Sequence, residues 1–516
     1  MSLLLGLDVG STSIKAVVYR PDGVSVASAA APTPTHVPRP RWAYYRADEI
    51  WSAVVDVIRA ALAELPDPGQ IAAVAVTSVA EAGVLLNAQG ESLVDTIAWY
   101  DTRTKPQADW LEEHIGADAL FARTGLALQP IFSLCKMLWY REHEPKAWEQ
   151  AVHWLLLNEY IAYKLSGERG SEPSQASRML LMNLQDLAWD DWILDKVGID
   201  RDLLPPLVSS GTRLGPVTAR AAAETGLPVT AQVATGGHDH VCGAFAAGVT
   251  RPGQMLNSLG TAEAVFLPTS APLTDPTAGR QGYTQGAHVA GGGYYIFGGQ
   301  YTSGASIDWV RRLLGDGDDP LAYDAMIAAA GRVPAGSNGV LFLPHLRMAN
   351  PPYVDSRSRG AFLGITVETG RDEIARAVLE GIAFETVNTY EPLAAYPQVT
   401  MPTSAVAVGG GTRNKLLMQI KSSLSGLPYH ILDAEEATAL GGAMLGGLGA
   451  GLFANADEAI AAMRFGQSDV RPIPEETAVY DRIKREVYQT IYPAIAPISQ
   501  TVSDMQNDLV DADGAQ

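Results

Sequence analysis

The first candidate for chemistry is an acidic residue beside a turn of glycine and hydroxyl residues near the start of the chain. Asp8 ends an apolar, strand-like segment and is followed by Gly10, Ser11, Thr12 and Ser13. Glycine lets the backbone approach an anion closely, successive amides and hydroxyls can hold phosphate oxygens, and a carboxylate can hold Mg²⁺ directly or through water. The segment predicts a phosphate and metal site, and the alternative is an ordinary hairpin with a surface carboxylate.

A second acidic candidate follows two glycines in the middle of the chain. The sequence GGHDH, residues 236–240, comes after the apolar segment AQVAT. At this strand end, Asp239 can accept the proton of a substrate hydroxyl as the oxygen attacks a γ-phosphate. Two alternatives stay open: a structural turn, and a transition-metal site of His238, Asp239 and His240, which would need a further, separated ligand.

The pattern of glycine and hydroxyl residues occurs again far downstream. In MLNSLGTAEAVFLP, a strand, the pair Gly260 and Thr261, and a second strand repeat the order seen in VGSTSIKAVVY. The repetition suggests two related halves with a duplicated core, with the boundary in the turn-rich segment 248–253.

A third glycine loop lies late in the chain. The loop VGGGTRN, residues 408–414, has a strand before it, a helix after it, and Asp433 at the end of the next strand. This order is typical of a dinucleotide-binding unit, although Asn414 occupies the third glycine position. The same turn can seat an adenosine, so the residues alone leave an NAD site and an ATP site open.

Length and composition bound the class of protein. The 516 residues exceed one hydrophobic core and predict two large domains with a cleft between them. The net charge of −20 argues against a nucleic-acid surface, which needs a basic face. The chain has no apolar run that could span a bilayer, and its start is unlike a signal peptide, so we expect a cytoplasmic protein without membrane contact. Two cysteines, Cys135 and Cys242, are expected to be buried thiols.

Hydrophobic periodicity predicts the elements that carry these residues. Three strands separated by turns open the chain, and a helix follows over about residues 48–65. Later patterns predict a helix over 372–393, a helix closed by Gly426, and a small-residue helix at ALGGAMLGGLGAG with close backbone packing. The acidic tail after Pro497 is expected to fray.

Together these segments resemble the FGGY family of carbohydrate kinases, within the superfamily of actin and the heat-shock ATPases. The resemblance runs over residues 3–452, and GAFLGI at 360–365 with the residues at 373–374 and 377–380 is similar to the C-terminal signature of the family throughout. A second signature, around FSLCKMLWYREH, is matched at Lys136 and Trp139 and departs from the usual residue types at Ile131 and Tyr140.

The resemblance implies an α/β fold of two ribonuclease-H-like (actin-like ATPase) domains around a central cleft. It implies ATP and Mg²⁺ as cofactors, with Asp8 positioning the metal and Asp239 as the general base. The residues matching positions near the nucleotide are Gly10, Ser11, Thr12, Lys15, Gly260, Thr261, Gly304, Asp308, Gly410, Gly411 and Asn414. Homodimers are common in the family, so a homodimer is a further expectation.

Substrate residues are predicted from a loop that begins at the end of the apolar, strand-like segment IAAVAVTS, residues 71–78. The loop TSVAEAGVLL resembles the sugar-contact loop of the family; Glu81 aligns with an acidic residue that glycerol kinases use, whereas Ala80 stands where those enzymes have arginine. Asp101, Arg103 and His240 are further candidates for hydrogen bonds to substrate hydroxyls, and a surface ion pair is the alternative for Asp101 and Arg103. An uncommon ketose, a tetritol or pentitol, and a sugar acid stay open as substrates; because the Glu81 carboxylate would repel an acid, we expect a neutral ketopentose or polyol.

The expected function is therefore ATP-dependent phosphorylation of a hydroxyl of a small sugar or polyol. The predicted domains are residues 1–248, mainly sugar-binding, and 249–497, mainly ATP-binding, with a tail at 498–516. Two alternatives remain. One is an ATP-binding regulatory protein without kinase activity, although the retained carboxylates argue against it, and the other is an NAD-dependent oxidoreductase.

Overall fold

The chain forms an α/β fold built on two mixed sheets. The computed structural model describes residues 2–317, 319–433 and 436–513, with side chains described through residue 507. The strands are β1 (Leu3–Val9), β2 (Ser13–Tyr19), β3 (Ser25–Pro32), β4 (His36–Arg39), β5 (Trp42–Tyr45), β6 (Ile71–Ser78), β7 (Gly83–Leu86), β8 (Thr96–Ile97), β9 (His153–Leu156), β10 (Met182–Asn183), β11 (Ala188–Trp189), β12 (Arg213–Pro216), β13 (Gln232–His238), β14 (Gln254–Leu259), β15 (Glu263–Thr269), β16 (Thr284–Ala287), β17 (Tyr294–Gln300), β18 (Leu341–Leu343), β19 (Ala361–Leu363), β20 (Ser404–Val408), β21 (Tyr429–Asp433) and β22 (Gly466–Val470).

Helices connect and cover these strands. They are α1 (Ala47–Ala63), α2 (Lys105–His114), α3 (Ala117–Thr124), α4 (Ser133–His143), α5 (Pro145–Gln150), α6 (Leu157–Ser166), α7 (Pro173–Ala176), α8 (Asp191–Val197), α9 (Ala219–Thr225), α10 (Asp239–Ala246), α11 (Pro276–Arg280), α12 (Gly304–Leu313), α13 (Tyr323–Gly331), α14 (Arg371–Tyr390), α15 (Lys415–Ser425), α16 (Ala437–Gly449), α17 (Ala456–Ala462), α18 (Pro474–Ile483) and α19 (Gln489–Asp513). Short 3₁₀ turns cover Pro68–Gln70, Arg201–Leu203, Ser337–Gly339, Glu391–Ala395 and Gly410–Arg413, and a π-helical turn covers Lys484–Tyr488. Within the described ranges, none of the helices combines the length and the apolar character needed to cross a membrane.

The first elements form where the sequence patterns predict them. Strands β1, β2 and β3 are an antiparallel meander with turns at the predicted positions. Helix α1 packs its apolar face against β2 and β3, and the buried positions Ile50, Val54, Ile58 and Leu62 recur every fourth residue along that face. The helix ends before Pro66, which lacks the amide needed to continue it.

The two large sheets share one topology. The six-stranded sheet has the order β12-β13-β6-β1-β2-β3, and the seven-stranded sheet has the order β16-β17-β15-β14-β20-β21-β22. In each sheet, the opening strand (β1 or β14) pairs antiparallel with the next strand of the meander and parallel with a later strand (β6 or β20). A second parallel strand (β13 or β21) and an antiparallel edge strand (β12 or β22) follow on that side. The duplicated core suggested by the repeated turn is confirmed, and β16 is an addition to the second copy.

Two helices lie between the sheets and join them. Helices α10 and α16 pack against each other, and α16, although it comes from the second half of the chain, also contacts β1, β6 and β13 of the first sheet. The approach is close: a side chain at Gly441 would overlap the backbone of Cys242, and one at Gly6 would overlap the backbone of Ala439. The close backbone packing predicted for the small-residue helix is confirmed.

The expectation that the tail after Pro497 frays is wrong for residues 498–513, and residues 514–516 lie outside the described residues. Helix α19 continues to Asp513, and Arg359 donates hydrogen bonds to Ser503 Oγ at 2.6 Å and Gln506 Oε1 at 2.9 Å. Gln500 donates to the carboxylate of Asp355 at 2.9 Å. The polar side chains of the tail are therefore the contacts that hold it to the second half of the chain.

Candidate active site

A cavity of about 460 Å³ lies where the two sheets face each other. Both halves contribute to its wall. The residues that matter here are Ser11, Glu81, Arg178, His238, Asp239 and His240 from the first half, and Gly260, Glu263, Tyr295 and Tyr301 from the second. Five of the predicted site residues therefore share one cavity: Ser11, Glu81, Asp239, His240 and Gly260.

Asp239 stands at the junction between a strand and a helix. Strand β13 runs through His238, and Asp239 is the first residue of α10, so the segment predicted as a turn after the glycines begins a helix. One carboxylate oxygen, Oδ1, accepts from the His240 amide at 2.6 Å and lies 3.2 Å from Nε2 of His238. Burial lowers the pKa of His238 to about 3, so its ring is neutral. Among the described residues, no hydrogen bond or ion pair engages the second oxygen, Oδ2, and Asp239 lines the cavity.

Asp8 is electrostatically coupled to Asp239. The pKa of Asp8 is raised to about 7, first by burial and second by the negative charge of Asp239. A hydrogen bond from Thr77 Oγ1, at 3.2 Å, acts in the opposite direction. The two carboxylates, which are more than two hundred positions apart in the sequence, lie at the same end of the first sheet, because Asp8 pairs with Thr77 of β6 and Thr77 pairs with Gly237, two residues before Asp239.

Glu81 lies in a tight turn directly after β6 and is paired with an arginine that sequence reasoning missed. Arg178 Nε donates to Glu81 Oε1 at 2.8 Å, and Nη2 lies 2.7 Å from the same oxygen. Both side chains are buried in the cavity wall. The only signal in the sequence is that a cation, Arg178, precedes the apolar run MLLM.

The substrate role predicted for Asp101 and Arg103 is not matched by their position. Asp101 is buried and bound to Arg103 Nη2 at 2.7 Å and to the amide of Ala43 at 2.6 Å. Arg103 lines a different, open cleft of about 860 Å³, in which it lies over the Trp42 ring. Of the alternative, a surface ion pair, the pairing is confirmed and the surface location is wrong, because this pair is buried and ties β5 to the loop before α2.

The nucleotide residues predicted in the second half of the chain cluster around one turn. The Gly304 amide donates to Gly260 O at 3.1 Å, and the amide of Ala305 donates to Thr261 O at 3.1 Å, so this turn lies on the start of α12. A side chain at Gly411 would lie 2.8 Å from Leu259 Cβ, which places the late glycine loop against the end of β14. Three separate motifs thus meet beside Gly260.

Three other residues of the second half that are predicted to contact the nucleotide have separate local contacts. Asn414 caps α15 by accepting from the Leu417 amide at 3.0 Å, and Gly410 begins the 3₁₀ turn before it. Asp308 is exposed and pairs with Arg311 at 3.1 Å.

The first glycine and hydroxyl turn is ordered by local contacts. The Gly10 amide donates to Ser13 O at 3.0 Å, and Ser11 Oγ accepts from Trp99 Nε1 at 2.7 Å. Thr12 is exposed. Lys15 Nζ lies 2.6 Å from Glu436 Oε2, so this lysine is paired with a residue just before α16.

Glu263, directly after the second turn, is a second residue that sequence reasoning missed. Its carboxylate accepts from Lys421 Nζ at 2.6 Å, Asn257 Nδ2 at 2.8 Å and Ser303 Oγ at 3.0 Å. The Glu263 and Lys421 side chains are both fully buried. This network fixes the hairpin that carries Gly260 to α12 and α15.

Comparison with known proteins places this architecture in a family of enzymes. Residues 3–246 match the model of the FGGY family of carbohydrate kinases, N-terminal domain, and residues 255–450 match the C-terminal domain. The duplicated sheets and the cavity between them are thus those of a carbohydrate kinase, a phosphotransferase with an alcohol group as acceptor. The chain belongs to the FGGY family, whose members use ATP with Mg²⁺.

Relatives with different substrates are similar to this chain. It is 27% identical to the xylulose kinase of Bacillus subtilis (strain 168), covering 99% of both chains. It is 32% identical to the glycerol kinase of Gloeobacter violaceus (strain ATCC 29082 / PCC 7421), over 89% of this chain and 90% of the relative. The crystal structure of gluconate kinase from Lactobacillus acidophilus superposes with a TM-score of 0.87 at 25% identity, covering 96% of this chain and 98% of that one.

These findings decide among the classes left open by the sequence. The oxidoreductase and the non-catalytic regulator are not favoured, because both halves match a kinase family. The transition-metal alternative at His238, Asp239 and His240 lacks support as well. Over residues 2–317, 319–433 and 436–513, no cluster of three or more His, Cys, Asp or Glu side chains is placed to hold a metal.

Proposed function

We propose that the protein phosphorylates a hydroxyl of a neutral ketopentose or polyol, with Asp239 as the general base. The observation that carries the proposal is that Asp239 lines a cavity bordered by both glycine and hydroxyl turns, while Asp8 lies at the same end of the sheet and is electrostatically coupled to it. A base on one side of the reacting hydroxyl and a metal-binding carboxylate on the phosphate side are what phosphoryl transfer to an alcohol requires.

The residues around the cavity fit ATP and Mg²⁺. Mg²⁺ keeps several waters and is held by one or two carboxylates together with substrate phosphates, so Asp8 suits it although the described residues contain no wider cluster of ligands. A side chain at Gly304 would come within 2.7 Å of Gly260 O, and one at Gly409 would overlap Leu259 O, so glycine at both positions lets the second turn, α12 and the late glycine loop pack closely together. When bound, Mg²⁺ supplies neutralisation of phosphate charge.

The proposed step is a direct transfer. Oδ2 of Asp239 takes the proton of the substrate hydroxyl while its oxygen forms a bond to the γ-phosphorus. The bond between that phosphorus and the bridging oxygen breaks, and ADP leaves with the electron pair. The contacts of Oδ1 with the His240 amide and the His238 ring hold the carboxylate in one orientation, so little reorganisation is needed during transfer.

Asp239→Asn tests the proposal. The variant keeps the shape of the side chain but cannot take the proton, so kcat for sugar phosphorylation should fall by about 10²- to 10⁴-fold while ATP binding is unchanged. Coupled ADP release measures turnover, and calorimetric titration measures ATP binding.

Asp191→Asn is the matched control, because Asp191 is also the first residue of a helix but is exposed and outside the cavity. Near-normal turnover in the Asp239 variant would overturn the assignment of the base. No phosphorylation of any ketose, polyol or sugar acid by the unaltered chain would overturn the proposed activity itself.

Two further predictions stay proposals: the division of the chain at residues 248 and 249, and a homodimer. Helix α16 crosses from the second half onto the first sheet, so the two halves expressed separately should bind each other. Sedimentation velocity of the full chain measures the assembly.

A further inference from the structure

The guanidinium of Arg178 is held from both halves of the molecule. Besides its contacts with Glu81, Arg178 Nη1 donates to Thr284 Oγ1 at 2.6 Å, and Thr284 begins β16 of the second sheet. The neighbouring residues are close as well, since a side chain at Gly286 would lie 2.5 Å from Ser177 Oγ. The Phe132 ring lies 5.3 Å from the guanidinium carbon. Arg178 is therefore fixed in the wall between the halves.

Glu81 is held as firmly, in a conformation that carries strain. Its φ of +66° is in the left-handed region, a backbone conformation that residues other than glycine and asparagine rarely adopt. Two donors bind its backbone carbonyl: Ser133 Oγ at 3.1 Å and Lys136 Nζ at 3.0 Å, and both residues are fully buried. A strained residue fixed by its surroundings inside a cavity indicates a position kept for function.

The pair leaves hydrogen-bonding capacity directed at a ligand. Both contacts from Arg178 fall on Oε1 of Glu81, and within the described part of the chain no residue donates to Oε2. A guanidinium has five N–H donors, and its three bonds here leave two. The wall thus presents an anionic acceptor beside a cationic donor.

We propose that Arg178 is a substrate-binding, specificity-determining residue that, together with Glu81, recognises adjacent hydroxyls of a neutral substrate. This inference rests on the proposed kinase function and deepens it. A hydroxyl can donate to Oε2 of Glu81 while it accepts from an N–H of Arg178, so a diol satisfies both partners. A carboxylate could accept from Arg178 but has no proton to give to Oε2.

The pairing changes the reason for preferring neutral substrates. Glu81 alone would repel an acid, but its charge is neutralised by Arg178, and only the combination of acceptor and donor discriminates. It follows that Glu81→Gln, which leaves the Arg178 cation without its anionic partner, should turn the site towards sugar acids.

The experiment measures kcat/KM on xylulose, glycerol and gluconate for the full chain and for Glu81→Gln, Arg178→Lys and Arg178→Met. In Glu81→Gln, the ratio of gluconate to xylulose activity should rise by about 10-fold or more. In Arg178→Lys and Arg178→Met, kcat/KM on the neutral substrate should fall by about 10- to 100-fold, mainly through KM, with KM for ATP unchanged. Lysine keeps the charge but not the planar fork, so the lysine variant should not restore activity.

Arg376→Met is the matched control. Arg376 lies 2.7 Å from Glu380 in an equally buried Arg–Glu pair outside the cavity, so its loss should lower stability without changing the substrate ratio. Suppose that the unaltered chain phosphorylates one of the probes. An unchanged substrate ratio in Glu81→Gln would then overturn this inference alone, and so would full activity in Arg178→Met. An unaltered chain that phosphorylates none of them would overturn the proposed function and this inference with it.

Discussion

The two halves of the molecule have the same sheet but use their charged residues in opposite ways. Counting back from Gly10 and Gly260, the equivalent positions are Asp8 in β1 and Ser258 in β14. Asp8 has no lysine or arginine bonded to its carboxylate among the described residues. The second half instead carries Glu263 just after its turn, and that carboxylate is bound by the fully buried Lys421.

The difference separates chemistry from support. A carboxylate without a cationic partner can bind a metal ion, whereas a carboxylate neutralised inside the core cannot leave its lysine. We therefore infer that the first half supplies the metal-binding carboxylate, Asp8, and the base, Asp239, whereas Glu263 of the second half, although it also borders the cavity, supports the hairpin that carries Gly260.

Breaking the buried pair of the second half should have the largest effect on stability. Lys421→Met leaves Glu263 as a buried charge without its partner, which should lower the free energy of unfolding by about 3–5 kcal/mol. The urea concentration at the midpoint of unfolding of the second half measures this loss of stability. The double variant with Glu263→Gln should recover part of the loss, and Lys105→Met, at an exposed pair with Asp109, should cost less than about 1 kcal/mol. If Lys421→Met lowered the free energy of unfolding no more than Lys105→Met does, the supporting role of the Glu263 and Lys421 pair would be wrong.

Equivalent substitutions at the two strand ends sharpen the comparison. Asp8→Asn should lower kcat by about 10²- to 10³-fold, because the metal and the developing phosphate charge lose a carboxylate. Ser258→Ala should stay within about 3-fold of the unaltered chain, since the equivalent position carries no charge to lose. Steady-state kinetics at saturating Mg²⁺ and ATP compare the two, and equal losses in both variants would show that the halves are not functionally distinct.

The raised pKa of Asp8 predicts that the stability of the folded chain depends on pH. The equivalent position of the second half, Ser258, has no titratable group and predicts no such dependence. Since the pKa is raised to about 7 in the folded chain, the folded state holds a proton that the unfolded state has lost, and stability falls as pH rises through about 7. Thermal unfolding without Mg²⁺ or ATP, between pH 5.5 and 8, should show a decline that Asp8→Asn makes shallower by about a few degrees. Ser258→Ala should leave the slope unchanged; the same slope in all three proteins would mean that other groups cause it.

Local patterns in the sequence predicted the parts of the fold that local forces determine. The opening meander, α1 and the small-residue helix follow from alternation, a fourfold apolar spacing and glycine content, each readable within one segment. The duplicated topology was visible only as one repeated turn, because the remaining strands of the two sheets share a pairing pattern and not a sequence.

The parts of the site that the sequence did not predict depend on distant segments meeting. Arg178 reaches Glu81 from a position 97 residues away, and nothing in either segment specifies the partner. Asp101 and Arg103 were predicted in the site because their types suit hydroxyl recognition, but they serve each other. Residue type indicates what chemistry is possible, whereas only the packing of segments decides where it is used.

The contact between the second turn and α12 gives the smallest predicted effect and the finest test of the supporting role. A methyl group at Gly304 would lie 2.7 Å from the carbonyl oxygen of Gly260, so Gly304→Ala must shift the turn by a few tenths of an ångström. Because the first half is untouched, KM for ATP should rise by about 10-fold while KM for the sugar is unchanged. Gly293→Ala is the control, since the nearest atom to its added methyl would be 3.8 Å away. A rise in KM for the sugar instead would place the influence of this turn on the other side of the cavity, contrary to the division between the halves.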